Sequence, residues 1–127
     1  MAYEWREHTA EVELVIDAPT EADVFLEALR AFAELVEVER EGEPATHVVE
    51  LAEADRARLL AAWLEELIYL ADTDSFVPED AEIELRDDGL RARVAGRRAQ
   101  VDPIAKAATY HRLEFEPGWR ARVVLDV

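Results

Sequence analysis

The C-terminal stretch Lys106-Ala107-Ala108-Thr109-Tyr110-His111-Arg112-Leu113-Glu114-Phe115-Glu116-Pro117-Gly118-Trp119-Arg120-Ala121-Arg122-Val123-Val124-Leu125-Asp126-Val127 decides how the rest of the chain is read. Two runs, about Ala105–Phe115 and Trp119–Val127, alternate in hydrophobicity and meet at Glu116-Pro117-Gly118, the signature of a hairpin. With a three-residue loop there, Phe115 faces Trp119, Leu113 faces Ala121 and His111 faces Val123. Thr109 then faces Leu125 and Ala107 faces Val127, which gives one nearly continuous apolar face. A two-residue Pro-Gly loop sets Phe115 against Arg120 and mixes the faces. A one-residue slip exchanges every side chain between faces, so the pattern selects the odd loop. Pro117 fits poorly at the second central position of a type I turn, whereas Gly118 suits a left-handed third position. In this register Asp126 lies opposite Ala108 on the polar face, and Lys106 lies on that face one diagonal step beyond. The carboxylate of Val127 falls beside Asp126. Two carboxylates and an ammonium gather where the sheet ends, and several oxygens in one place suit a hard cation such as calcium or magnesium.

Working back from the hairpin, Val12, Leu14 and Ile16 alternate with Glu11, Glu13 and Val15, predicting a half-buried strand over Glu11–Ile16. Thr20, with Glu21 and Asp23 behind it, predicts a helix N-terminus. Val24, Phe25, Ala28, Leu29, Phe32, Leu35 and Val36 are the apolar stripe of that helix. Glu37 to Ala45, with Gly42 and Pro44, reads as a charged loop before a strand Thr46–Leu51. Asp55 predicts the cap of a second helix, with core positions Leu59, Leu60, Trp63, Leu64, Leu67 and Ile68. Asp72 and Asp74 read as loop acids after that helix. Ile83 and Leu85 lead into the turn Asp87-Asp88-Gly89, from which Leu90, Ala92 and Val94 return. Gly96-Arg97-Arg98 reads as a polar bend. Two helices among some seven strands predict an α+β fold, a single domain over 1–127 with both helices packed on a mostly antiparallel sheet.

Composition narrows the function. The chain has 127 residues, half of them hydrophobic, enough for a core, and no cysteine, which excludes disulfides and thiol catalysis and fits a reducing cytoplasm. No apolar run approaches the ~20 residues that span a bilayer, and the N-terminus lacks a signal-peptide pattern. The net charge of −16 repels phosphate backbones and attracts cations or a basic protein. Among 14 basic residues Lys106 is the single lysine. Its compact ammonium is not interchangeable with the planar guanidinium used everywhere else. His111 alternates with Leu113 and Phe115 and reads as a core histidine; His8 reads equally as a ligand or as a loop support.

Four segments, His8-Thr9-Ala10-Glu11, Trp63 to Thr73, Lys106 to His111, and Val123-Val124-Leu125-Asp126-Val127, occur together and in order. In this combination the chain resembles the archease family over essentially its whole length. The resemblance implies a small non-catalytic cofactor of the RtcB-type RNA ligase in tRNA splicing and RNA repair, promoting guanylylation and turnover of the ligase. tRNA is then met only through the ligase, and no membrane is involved. It also implies a metal site whose acid, lysine and penultimate aspartate correspond here to Glu11, Lys106 and Asp126. Together with the chain-end carboxylate read from the hairpin, the expectation is a divalent ion, calcium in the first instance, on Glu11, Asp126 and Val127, with Lys106 and His8 in support. Two departures stand out. Glu11 replaces the family's aspartate, and the segment Gly96–Pro103 is short and carries two arginines, with Asp102 in place of the usual acid. The competing expectation is a free-standing metal-dependent phosphohydrolase using the same carboxylates. Against it, the sequence has neither a Gly-rich phosphate loop nor a second carboxylate-histidine set.

Overall fold

Thr20 begins the first helix by local chemistry: its hydroxyl accepts the Asp23 N–H at 3.2 Å, satisfying one of the free donors of the first turn. Asp55 does the same for the second, accepting the Arg58 N–H at 2.9 Å. A computed structural model describes residues 2–8, 11–103 and 106–127, and for some strand positions, His8, Asp102 and His111 among them, the backbone alone. Its elements run β1 (Ala2–His8), β2 (Glu11–Asp17), α1 (Glu21–Leu35), β3 (Val36–Ala52), α2 (Arg56–Asp74), β4 (Phe76–Arg86), β5 (Gly89–Pro103), β6 (Ala107–Glu116) and β7 (Arg120–Asp126). The α+β class is as expected, with every strand pairing antiparallel. The strands form two sheets, not one: β1-β2-β7-β6 and β3-β5-β4.

Both helical stripes are core. Phe25, Phe32, Trp63, Leu64 and Leu67 are fully buried, together with Leu14, Ile16, Val123 and Leu125 from the four-stranded sheet and Phe76 and Val94 from the other. Trp63 donates its indole N–H to the Phe25 carbonyl at 2.9 Å, so the bulkiest core residue also ties the two helices together. α1 lies mainly against β4 and α2 mainly against β6, which places the helices between the sheets.

Several expectations need correction. β1 is a strand in its own right, with Tyr3 and Trp5 packed against the core. Glu37–Ala45 is not a loop; it belongs to the 17-residue strand β3. Its register against β5 shifts between Val38 and Arg40 and between Glu41 and Pro44, and these irregularities absorb the proline. Gly96-Arg97-Arg98 likewise continues β5; a Cβ at Gly96 would stand 2.0 Å from the Val77 carbonyl oxygen, so glycine permits the strands to close. Asp72 and Asp74 lie in the last turn of α2, which ends only at the left-handed Ser75 (φ 51°).

The C-terminal hairpin also differs. Its loop has three residues, as the hydrophobic pattern requires, but they are Pro117, Gly118 and Trp119, closed by Glu116↔Arg120. Gly118 has φ 88° and the Trp119 N–H reaches the Glu116 carbonyl at 3.2 Å, so proline occupies the first central position of a type II-like turn, where its φ is favourable. Phe115 therefore faces Ala121, not Trp119. Farther along, the register shifts between Thr109 and Glu114, with Arg112 in the left-handed region (φ 59°), and Asp126 comes opposite Ala107 instead of Ala108.

Candidate functional site

β2 and β7 are central neighbours in the four-stranded sheet, and their pairing sets Glu11 directly opposite Asp126. On one edge strand His8 of β1 is the register partner of Glu11; on the other edge strand Ala107 of β6 is the partner of Asp126. Lys106 is joined to the same point through its backbone, its N–H donating to the Asp126 carbonyl at 2.8 Å. One row across the end of the sheet thus carries His8, Glu11, Asp126 and Ala107, with Lys106 and Val127 immediately beyond. Glu11, Asp126 and Val127 are half-buried, and Lys106 is exposed. The His8 side chain lies outside the described residues. Among the described residues no three or more Asp, Glu or His side chains come close enough together to hold a metal ion on their own.

The electrostatics of this row nonetheless favour a cation. Directly opposed residues on antiparallel strands have Cβ atoms about 4.5–5.5 Å apart, and two like charges there are mutually destabilising. Positive charge placed beside such an acidic pair relieves the repulsion.

One row inward on the same face is a charged residue whose burial the alternating pattern did not reveal. Glu13 is only 3% exposed and stands 3.0 Å from the Arg122 guanidinium. The angle of that contact falls outside hydrogen-bond geometry, so it is an ion pair by distance and not a hydrogen bond. Val15 and Val124 on this face are 5% and 1% exposed although they lie apart from the core between the helices. Thr109, register partner of Val124, has a shielded hydroxyl with no hydrogen-bond partner among the described residues. Alternation placed Glu13 on the polar face, but nothing local to the sequence says that this face is shielded from water around its centre.

Comparison with known proteins agrees with the geometry. Residues 3–127 match the model of the Archease protein family (MTH1598/TM1083). Protein archease of Methanosarcina mazei is 32% identical over 98% of this chain and 95% of its own length, and that of Methanopyrus kandleri is 31% identical over the full length of both. Among solved structures, the solution structure of Methanobacterium thermoautotrophicum protein 1598 superposes with a TM-score of 0.71 at 28% identity, covering 98% of each chain. The crystal structure of a Thermotoga maritima archease, described as a possible chaperone, gives 0.69 over 96% of this chain and 94% of its own at 22% identity, a likeness of fold. Two helices between antiparallel sheets define an archease-like α+β protein. The chain belongs to the archease family.

Proposed function

We propose that this protein is a non-catalytic activator of an RtcB-type RNA ligase in tRNA splicing and RNA repair, acting through the acidic end of its four-stranded sheet. The observation that carries the reading is the direct Glu11–Asp126 pairing with Lys106 bound through its backbone to Asp126. Glu11, Asp126 and the Val127 carboxylate would hold a divalent ion, calcium first, with Lys106 and His8 in support. Once bound, such an ion neutralises the paired acids and offers open positions to an oxygen ligand of the partner. The chain's own contribution is to fix two carboxylates on neighbouring central strands, where rotamer and backbone freedom are small. Lys106, exposed beside them, supplies a compact positive charge for a carboxylate or phosphate. The remaining surface, at a net charge of −16, favours a basic face on the partner over direct RNA contact. The setting we assign is the cytoplasm, consistent with a cysteine-free chain in which no helix among the described residues is long and apolar enough to cross a membrane.

A general chaperone is less well supported. Capture of unfolded chains needs extended apolar surface, and among the described residues the exposed large hydrophobic side chains are Val38, Val48 and Tyr69, far apart in sequence. The deciding experiment incubates the protein with GTP and end-labelled RNA, with and without the ligase. Ligase guanylylation and multiple turnover should rise only when both proteins are present. RNA cleavage or GTP hydrolysis by the protein alone would instead establish the phosphohydrolase.

A further inference from the structure

At the far end of the β3–β5 ribbon two arginines lie side by side, with no acidic partner among the described residues. Arg40 is the register partner of Gln100, and Arg98 precedes Gln100 by two residues on the same strand face. The arginines are therefore diagonal neighbours, on the order of 7–8 Å apart at their Cβ atoms. Gly42 makes the approach possible: a Cβ there would stand 2.5 Å from the Arg98 carbonyl oxygen. Both arginines are exposed and border a shallow, open depression of 450 Å³ that Gly42, Ser75 and Gln100 also line.

The contrast with the rest of this sheet is what gives the pair meaning. Arg86 lies 3.5 Å from Glu84, Arg91 lies 3.3 Å from Glu50 and Arg97 lies 3.4 Å from Glu79, while Arg93, without an ion pair among the described residues, has Glu82 as its register partner. In a chain with 30 acids, an arginine on these strands readily finds a carboxylate. Arg40 and Arg98 instead face each other, and among the described residues neither forms an ion pair. Glu41, which also borders the depression, pairs in register with the buried Ala99 and so belongs to the opposite strand face from Arg40. Nor do the two arginines neutralise the end of α2: its last turn carries Asp72 and Asp74 and no base, and neither acid is within ion-pair reach of them. Adjacent like charges repel, and the repulsion turns into attraction when one anion sits between them. The polar side chains bordering the depression beyond Glu41 can all donate: two guanidinium groups, which only donate, and the Ser75 hydroxyl and Gln100 amide, which donate as well as accept.

We propose that Arg40 and Arg98 form a binding site for a single phosphate group, presented by the end of an RNA strand or by a nucleotide. Planar forks on either side suit a tetrahedral anion, while the surrounding negative charge works against a long phosphate backbone. The inference does not depend on the ligase role or on the metal site.

The test compares the unmodified protein with Arg40→Ser/Arg98→Ser, using Arg91→Ser/Arg93→Ser as a control that removes the same charge from the same sheet. Calorimetric titration with pyrophosphate, and anisotropy of a labelled RNA carrying either a 5′-phosphate or a 5′-hydroxyl, provide the readouts. The Arg40/Arg98 variant should lose roughly tenfold or more in affinity for the phosphate-bearing probe, as two charge-assisted contacts disappear, with the control within about twofold. Retained preference for the 5′-phosphorylated RNA identifies a strand end; binding of pyrophosphate alone identifies a nucleotide-type ligand. An equal loss in the control, or no binding of either probe by the unmodified protein, overturns the proposal.

Discussion

Asp126→Asn should change the stability of this protein in opposite directions with and without calcium. Asp126 sits directly opposite Glu11 on a neighbouring strand. Opposed like charges cost about 0.2–1 kcal/mol, so neutralising one should stabilise the metal-free protein by that amount. For a chain of this length 1 kcal/mol corresponds to roughly 3–5 °C in melting temperature, giving an increase of about 1–4 °C in chelator. A ligand at one hundred times its Kd stabilises the folded state by about 2.7 kcal/mol, or roughly 8–14 °C for the unmodified protein. Asp126→Asn should lose most of that rise, as should Glu11→Gln, so the melting curves of variant and parent cross as calcium is added. Differential scanning calorimetry in EDTA and across a calcium series measures both effects. A variant that melts lower than the parent in EDTA, or that keeps the parent's calcium response, refutes the reasoning. An unmodified protein indifferent to calcium and to other divalent ions would remove the cation from this site altogether.

Lys106→Arg should fold normally, since the side chain is exposed, yet lose most of its stimulation of ligase guanylylation because a planar fork replaces a compact ammonium; full stimulation by the variant would leave the lone lysine a compositional accident. A tag added after Val127 displaces the chain-end carboxylate and should weaken ligase activation well below that of an N-terminally tagged form, and equal activation by both would exclude the last residue from the site. Arg122→Leu removes the guanidinium 3.0 Å from the buried Glu13 carboxylate and should cost about 1–3 kcal/mol in urea unfolding, whereas Arg122→Lys, which keeps the positive charge, should lose clearly less; equal losses in the two variants would mean that the charge opposite Glu13 is not what matters.

How much of this was legible from sequence depended on how local the cause was. Thr20 and Asp55 could be placed because a cap is a contact between a side chain and a backbone N–H three residues away. The helix stripes were legible because burial repeats every turn. β1 escaped notice although Tyr3 and Trp5 carry the period of two, because charged residues separate them in a short run. The stretch Glu37–Ala45 looked like a loop because Gly42 and Pro44 usually end strands. Here the glycine admits the facing backbone and a register shift accommodates the proline, and both reasons lie on β5, some sixty residues away. Patterning placed Asp126 with Lys106 and the chain end, and the family resemblance alone added Glu11; the direct pairing of β2 with β7 came only with the structure. Glu13 was not legible, because its burial depends on what surrounds the sheet face.

The shift in β6, as well as a turn expected one residue too early, moved the end of the hairpin from its expected register. From Thr109 to Glu114 the strand advances five residues while β7 moves only from Val124 to Arg122, so β6 carries three extra residues there. An odd excess exchanges faces. Leu113 and Phe115 point to the core after it, as counting back from the turn requires, but before it the buried residue is Ala108, with Ala107 and Thr109 only half-buried. Counting back from the observed turn without the shift would have sent Ala107 inward and put position 110 opposite Asp126, whereas the expected loop put Ala108 there. The left-handed Arg112 within this shift has no glycine to announce it, since an arginine there is permitted at a cost of about 1–2 kcal/mol rather than favoured. The position of Lys106 beside Asp126 is therefore set by β6–β7 pairing beyond an irregularity in mid-strand, and the turn that closes the hairpin has little to do with it.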